Sequence, residues 1–211
     1  MMQEIILASG SDRRKELMKW LGIPHKVIVS EFDEHSILPK DFEDDIEGYV
    51  VTVAMGKGLT VLEQYPQALI ISADTIVVLD GEIFGKPKDL SHAREMLQRL
   101  RGKKHSVYCG VVMLDGEIGE RRVEVVETKV TFQNFSDQQL EQYIATSEPY
   151  DKAGGYALQG WAAKHIESVE GSALNVVGFP LLTVRDMLEE LGVQVAVDLE
   201  QSILEKTGYT S

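Results

Sequence analysis

An aspartate lies in the middle of one of the most apolar runs in this chain. Asp74 interrupts residues 68–79, ALIISADTIVVL, which are closed by the turn pair Asp80-Gly81. Such a run predicts a strand that is covered on both faces. An ionised carboxylate there is costly unless a cation, a metal or several hydrogen bonds hold it. Two interpretations stay open: Asp74 marks a kink where the strand breaks, or it is a working carboxylate.

Strands alternate with helices along most of the chain, which predicts an α/β fold. A long antiparallel hairpin adds strands of opposite direction. We therefore expect an elongated mixed β-sheet flanked by helices, with two lobes around a cleft, in a single domain over residues 1–211. The predicted strands lie at 5–9 and 27–29, with the hairpin strands at 107–114 and 122–132. The predicted helices run from the cap Ser11 to Gly22, over 46–64, from the cap Ser91 to Gly102 and from Pro180 to Gly192. A further helix is opened by a capping box at Ser136–Gln139.

Composition limits the possible partners of this chain. The formal net charge of −13 argues against general affinity for nucleic acid or anionic membranes. No apolar stretch approaches the ~20 residues of a membrane span. Residues 1–4 lack the basic flank of a signal peptide, and Cys109 is the single cysteine. We expect a cytoplasmic protein whose polyanionic ligand, if it has one, binds in a local basic pocket.

A first candidate anion site is the turn from Ser9 to Ser11 together with the start of the following helix. A helix N-terminus offers free backbone N–H groups and a positive dipole end, so phosphates settle there. Arg13 and Arg14 follow directly and can each donate two N–H groups to phosphate oxygens. The alternative is a capped surface helix with solvated basic residues.

Three further charged residues have both a functional and an ordinary interpretation. Lys57 falls on the apolar stripe of the 46–64 helix, so it either extends to solvent or meets an anion. Lys86, between Gly85 and Pro87, is either a phosphate ligand or an exposed turn lysine. Glu34 lies in an acidic loop where carboxylates are usually just solvated.

Taken together, these residues are typical of metal-assisted phosphoryl chemistry. Carboxylate oxygens of Asp74 and Glu34 suit Mg²⁺ or Mn²⁺. The lysines and arginines would neutralise the charge of a triphosphate. A carboxylate beside a metal can activate water as a general base. The sequence thus predicts a site for a triphosphate and a divalent cation.

Several blocks of the chain resemble the Maf family. They are LASGSDRR at 7–14, FDE at 32–34, Lys57, SADT at 72–75, GKP at 85–87, EPYDKAG at 148–154, LQG at 158–160 and NVVGFPL at 175–181. The resemblance covers residues 6–182 in family order. It implies a nucleoside triphosphate pyrophosphatase that cleaves between the α- and β-phosphates, requires a divalent metal, is often a homodimer and has a sheet like that of inosine-triphosphate pyrophosphatases.

The resemblance also implies roles for individual residues. Asp74 corresponds to the catalytic base. The other family positions implied in phosphate or metal binding fall on Ser9, Arg14, Glu34, Lys57 and Lys86, and Glu34 and Asp74 are the implied metal ligands. Three further positions differ between family subgroups that act on nucleotides with different bases, and here they are Arg13, Thr75 and Gln159. This combination resembles the subgroup that hydrolyses dTTP and UTP. Modified pyrimidine nucleotides are further expected substrates. Without the resemblance, Gln159 is equally an ordinary loop amide.

Some positions depart from the family pattern, and other functions stay open. Asp12 stands where the family usually has Pro, Ala157 replaces a common Gly, and residues 172–174 replace a frequent Asp-Tyr-x. One alternative is a nucleotide-binding regulator of septum formation and cell division. Another is the same chemistry on a different base, as in the sibling subgroup that acts on 7-methyl-GTP.

Overall fold

The computed structural model describes residues 3–42 and 44–209; Met1 and Met2, on which part of the signal-peptide prediction depends, lie outside them. The strands are β1 (Ile5–Ala8), β2 (Lys26–Ile28), β3 (Leu69–Leu79), β4 (Glu82–Phe84), β5 (Lys104–Asp115), β6 (Arg121–Phe132) and β7 (Ile166–Glu170). The helices are α1 (Asp12–Trp20), α2 (Ile46–Leu62), α3 (Leu90–Leu100), α4 (Asp137–Ile144), α5 (Ala173–Val177), α6 (Leu181–Glu190) and α7 (Leu199–Thr207). Within the described ranges, no helix has both the length and the apolar character needed to cross a bilayer.

The strands form one mixed sheet in the order β2-β1-β3-β5-β6-β7, with β4 paired to β3. The strands β2, β1 and β3 are parallel, whereas β3, β5, β6 and β7 are antiparallel. Helices flank this sheet, so the predicted α/β class and mixed sheet are confirmed. The hairpin prediction is also confirmed, and its ladder extends from Lys104, opposite Thr131, to Leu114, opposite Arg121.

The long strand β3 contributes to four hydrophobic clusters, two on each face of the sheet, and the two largest pack against different helices. Its first half, including Leu69 and Ile71, packs with α1, α6 and α7. Its second half, including Val77 and Leu79, packs with α3, α4 and the segment around Tyr156. Asp74 lies between these halves. The strand continues unbroken through it, so the kink interpretation is wrong.

Helix α2 packs directly on the sheet at two glycines, where a side chain would clash with the other element. A Cβ on Gly58 would lie 2.8 Å from Ser72 Oγ, and one on Gly110 of β5 would lie 3.1 Å from the backbone of Val50. Ser72 Oγ also donates a hydrogen bond of 2.7 Å to the carbonyl of Ala54. This close packing places the next residue of the helix face, Lys57, against β3.

Two details of the sequence interpretation need correction. The helix predicted to start at Ser91 is instead capped by Asp89, whose Oδ1 accepts from His92 N at 2.8 Å, because the aspartate can close the same turn two residues earlier. The C-terminal segment, for which no element was predicted, contains α7, which Asp198 caps and which buries Leu199 and Ile203. The cap at Ser11 and the capping box at Ser136 are confirmed.

Candidate active site

A cleft of 510 Å³ lies where the two lobes meet. Its wall brings together residues from the start of α1, the 30–34 loop, α2, β3, the loop after β4 and the 151–159 segment. Every residue to which the sequence analysis gives a site role lies on this wall: Ser9, Arg13, Arg14, Glu34, Lys57, Asp74, Thr75, Lys86 and Gln159. Their proximity is an observation; the role of each stays a prediction.

Lys57 lies between the two carboxylates of the cleft. Its Nζ donates to Asp74 Oδ1 at 2.6 Å and lies 3.1 Å from Glu34 Oε1. The side chains of Lys57 and Asp74 are only 11% and 12% exposed. Of the two interpretations of Lys57, extension to solvent is therefore wrong, because the lysine meets an anion on the sheet.

The electrostatic field of the cleft favours an ionised Glu34. Partial burial alone would raise the pKa of this carboxyl. The charge of Lys57, its hydrogen bond and the more distant charges of Lys86 and Arg14 outweigh that effect and hold the pKa below its usual value of 4.5. Glu34 is thus a carboxylate at neutral pH, as a phosphate-bound cation would require.

The loop that carries Glu34 is seated on α2 through an aromatic contact. Phe32 lies against Gly56, where a Cβ would come within 2.4 Å of the phenyl ring. Asp33 then caps the short turn of residues 34–36 by accepting from His35 N at 3.0 Å. Gly56 therefore helps to set the distance between Glu34 and Lys57, a role for which the sequence analysis had no signal.

We expect Gly56→Ala to lower kcat/KM by about tenfold or more, because the displaced phenyl ring moves Glu34 away from Lys57 and sub-ångström placement matters in catalysis. The free energy of unfolding should change little, since Ala is favoured over Gly in a helix by about 1 kcal/mol, which offsets the local strain. Steady-state kinetics and urea unfolding check this. Leu59→Ala, at an exposed position of the same helix, is the control; equal kinetics for both variants would contradict the prediction.

The start of α1 forms one end of the cleft. Ser11 Oγ caps the helix by accepting from Arg14 N, and Ser9 Oγ accepts from Ser11 N at 3.2 Å. Asp12, which departs from the family pattern, directs its carboxylate to Lys15 at 2.9 Å, and its side chain is 95% exposed. The extra negative charge is therefore paired outside the turn.

Arg14 is buried and bound to protein groups. Its Nε donates to the carbonyl of Gly178 at 2.8 Å, one terminal nitrogen donates to the carbonyl of Ala73 at 2.7 Å, and the other donates to Thr75 Oγ1 at 3.0 Å. The guanidinium thus joins α1, β3 and the loop after α5. This geometry gives the arginine a structural task that the predicted phosphate contact does not include.

We expect Arg14→Lys to destabilise the protein by about 2–3 kcal/mol, because one ammonium cannot replace three directed bonds in a buried site. Chemical denaturation measures this loss. If Arg14 contacted phosphate alone, the substitution would raise KM and leave the unfolding free energy unchanged. That pattern would contradict the structural task.

The three residues predicted to select the base differ in how far their side chains are bound to other protein groups. Arg13 pairs with Asp151, NH1 to Oδ2 at 3.0 Å. Thr75 Oγ1, besides accepting from Arg14, lies 3.3 Å from the carbonyl of Gly178. Gln159 is exposed on the cleft wall in a turn that Gly160 closes with φ +85°. Arg13 and Gln159 thus reach the mouth, while Thr75 is part of the wall.

The acidic residues of the cleft suit a divalent cation only if the substrate supplies further oxygen ligands to it. Within residues 3–42 and 44–209, no group of three or more His, Cys, Asp or Glu side chains is arranged to hold a metal. Asp74 and Glu34 do converge on one point, which the Lys57 ammonium marks. Mg²⁺ is often bound by one or two carboxylates together with substrate phosphates and water. Asp74 and Glu34 supply two such carboxylates, so the site suits Mg²⁺ that is also bound by substrate phosphates.

Besides Asp12, two charged residues of the cleft received no role from the sequence. Lys152 donates to the carboxylate of Asp151 and to the carbonyl of Glu148. Both Asp151 and Lys152 belong to the EPYDKAG block. That block was the available signal, but nothing in its local pattern shows that its charges face α1.

A cleft in which two carboxylates meet several cations is suited to the class of proteins that handle small polyanions. Comparison with known proteins narrows the class. Residues 4–191 match the family described as Maf-like protein, and the chain belongs to the Maf family.

Similar curated proteins cover nearly the same length. One from Clostridium botulinum (strain Kyoto / Type A2), named dTTP/UTP pyrophosphatase, is 43% identical over 92% of this chain and 100% of its own. Proteins of the same name from Symbiobacterium thermophilum and Dictyoglomus thermophilum are 44% and 42% identical, over 92% and 91% of this chain and 97% and 98% of their own.

Proposed function

We propose that this chain is a nucleoside triphosphate pyrophosphatase that hydrolyses dTTP and UTP to the nucleoside monophosphate and pyrophosphate. The observation that carries the proposal is the Lys57 ammonium held between Asp74 and Glu34 at the base of the cleft. Relatives named dTTP/UTP pyrophosphatase, about as long as this chain, support the choice of substrate. Modified pyrimidine triphosphates are included as further substrates.

In the proposed reaction, Asp74 acts as the general base. Lys57 occupies its Oδ1, so Oδ2 is the oxygen that can accept a proton from water. The activated water attacks the α-phosphorus, the bond to the bridging oxygen breaks, and pyrophosphate leaves. Lys57 and Lys86 stabilise the negative charge that develops on the phosphate oxygens.

The remaining residues hold the substrate. The start of α1, with Ser9, binds phosphate oxygens through backbone N–H groups and the helix dipole. Glu34 and Asp74 would hold a divalent cation, Mg²⁺ or Mn²⁺, which when bound would neutralise part of the charge of the triphosphate. Arg13, Thr75 and Gln159 select the base, and Arg14 keeps the wall of the cleft in place. The proposal also includes a homodimer in the cytoplasm that binds neither nucleic acid nor membranes.

The test is a turnover panel on the purified chain with Mg²⁺ or Mn²⁺. We expect pyrophosphate release from dTTP and UTP to exceed that from CTP, GTP and 7-methyl-GTP. Tight binding of dTTP without cleavage would overturn the enzymatic proposal and favour a nucleotide-binding regulator. Preference for 7-methyl-GTP would keep the chemistry and overturn the base assignment.

A further inference from the structure

Asp151 connects two cations at the mouth of the cleft. Its Oδ2 pairs with Arg13 NH1 at 3.0 Å, and its Oδ1 accepts from Lys152 Nζ. The backbone carbonyl of Asp151 lies 3.5 Å from Arg13 NH2 as well. All three side chains line the cleft. One carboxylate therefore binds both a guanidinium and an ammonium that line the same cleft.

The ion pair spans the two lobes. Arg13 is on α1, whose buried residues Leu17 and Met18 belong to the first core cluster. Asp151 ends a short helical turn at residues 148–151, in which Tyr150 packs on the second cluster. The orientation of Arg13 thus depends on a group from the opposite wall.

The backbone around Asp151 is fixed by close packing. Gly154 has φ +66°, and a Cβ there would lie 2.9 Å from Val77 Cγ2. Its N–H donates to the carbonyl of Gly85 at 3.0 Å, beside the loop that carries Lys86. This anchor holds the 148–154 segment against β3, so Asp151 presents its carboxylate from a defined position.

The ion pair between Asp151 and Arg13 contributes too little to the stability of the fold to explain its presence. The Asp151 side chain is 65% exposed and that of Arg13 is 35% exposed. Exposed ion pairs contribute ~0–1 kcal/mol. Removal of the carboxylate should therefore leave folding nearly unchanged and reveal what the orientation of Arg13 does.

We propose that Asp151 is a positioning residue for base selection, an inference that rests on the proposed function. Asp151 engages one edge of the Arg13 guanidinium and turns its other N–H groups toward the base. Uracil and thymine carry a carbonyl at C4, which accepts such a donor, whereas cytosine carries an amino group there, which cannot accept. Arg13 held in this way favours dTTP and UTP over CTP.

The experiment compares pyrophosphate release from dTTP and CTP by the full chain and its Asp151→Asn variant. We expect KM for dTTP to rise about tenfold with kcat within about twofold, and the dTTP-to-CTP ratio of kcat/KM to fall about tenfold, the size of effect that one misplaced polar contact produces. Asp151→Glu, which keeps the charge, should restore part of the ratio. Arg13→Ala combined with Asp151→Asn should match Arg13→Ala alone, because Asp151 acts through Arg13.

Asp12→Asn is the matched control, since it removes a carboxylate from the same rim that pairs with Lys15 instead of Arg13. Its ratio should equal that of the wild type. An active wild type with an unchanged ratio in Asp151→Asn, or additive effects in the double variant, would overturn the positioning role alone. A fall in kcat of Asp151→Asn without a change in the dTTP-to-CTP ratio of kcat/KM would also overturn the positioning role. An inactive wild type would overturn the proposed function and this inference together.

Discussion

Asp74→Asn is expected to lower kcat by about 10²–10⁴-fold, the contribution typical of a positioned general base. The amide is nearly the same size as the carboxylate, and its oxygen can still accept the hydrogen bond from Lys57. It has no carboxylate oxygen to take a proton from water. Because strand β3 needs no change, the variant should fold. Pyrophosphate release from dTTP at saturating substrate measures the loss.

A second buried aspartate provides the control for this prediction. Asp115, at the end of the neighbouring strand β5, is 7% exposed, and its Oδ1 accepts from Gln3 Nε2 and from the backbone N–H groups of Glu117 and Ile118. Asp115→Asn should cost about 1–2 kcal/mol of stability by disturbing that turn and leave kcat unchanged. Equal losses of kcat in both variants would mean that any buried aspartate matters, and Asp74 would not be the base.

The sequence predicts the centre of this site because each part has a local signal. Asp74 interrupts an apolar run, and Lys57 interrupts an apolar stripe at helical spacing. A strand and a helix of these patterns bury the same faces on which the two charges lie, so the charges meet in the interior. The turn at Ser9–Ser11 is equally local, since its cap needs only the next three residues.

Contacts between distant segments leave no such signal. Arg14 binds the carbonyl of Gly178, 164 residues away, and a backbone carbonyl has no signature in the sequence. Phe32 packs on Gly56, and nothing in the 31–45 loop indicates which helix it meets. Asp151 reaches Arg13 across the cleft for the same reason. Such contacts depend on how the lobes pack, which local periodicity does not determine.

Lys57→Met is expected to be the most damaging substitution for stability, and it should lower turnover as well. The thioether side chain fills much of the same space without a charge, so Asp74 and Glu34 face each other with no cation between them. Removal of one partner from a buried ion pair typically costs about 3–5 kcal/mol. Loss of the cation that stabilises phosphate charge should lower kcat by about 10²–10³-fold.

The loss of stability should depend on pH. In the wild type, the pKa of Glu34 is lowered below 4.5, so its contribution to stability is fully present above that value and is lost as pH falls through the lowered pKa. Lys57→Met removes the cation that lowers the pKa of Glu34, so burial and the nearby Asp74 raise that pKa in the folded state, and the variant loses stability as pH rises through it. The difference in unfolding free energy between the two proteins should therefore be larger at pH 7 than at pH 4. An equal difference at both pH values would contradict the electrostatic explanation.

The double variant Lys57→Met with Asp74→Asn separates stability from catalysis. With both buried charges gone, no uncompensated carboxylate is left at Asp74, and a neutral pair of similar volume is often as stable as the buried ion pair it replaces. We therefore expect its unfolding free energy at pH 7 to return most of the way to that of the wild type, while pyrophosphate release stays as low as in Asp74→Asn alone. Were the single variants inactive merely because they are unstable, activity would return together with stability. Recovery of stability without turnover would leave the missing proton acceptor and the missing cation as the cause of the inactivity.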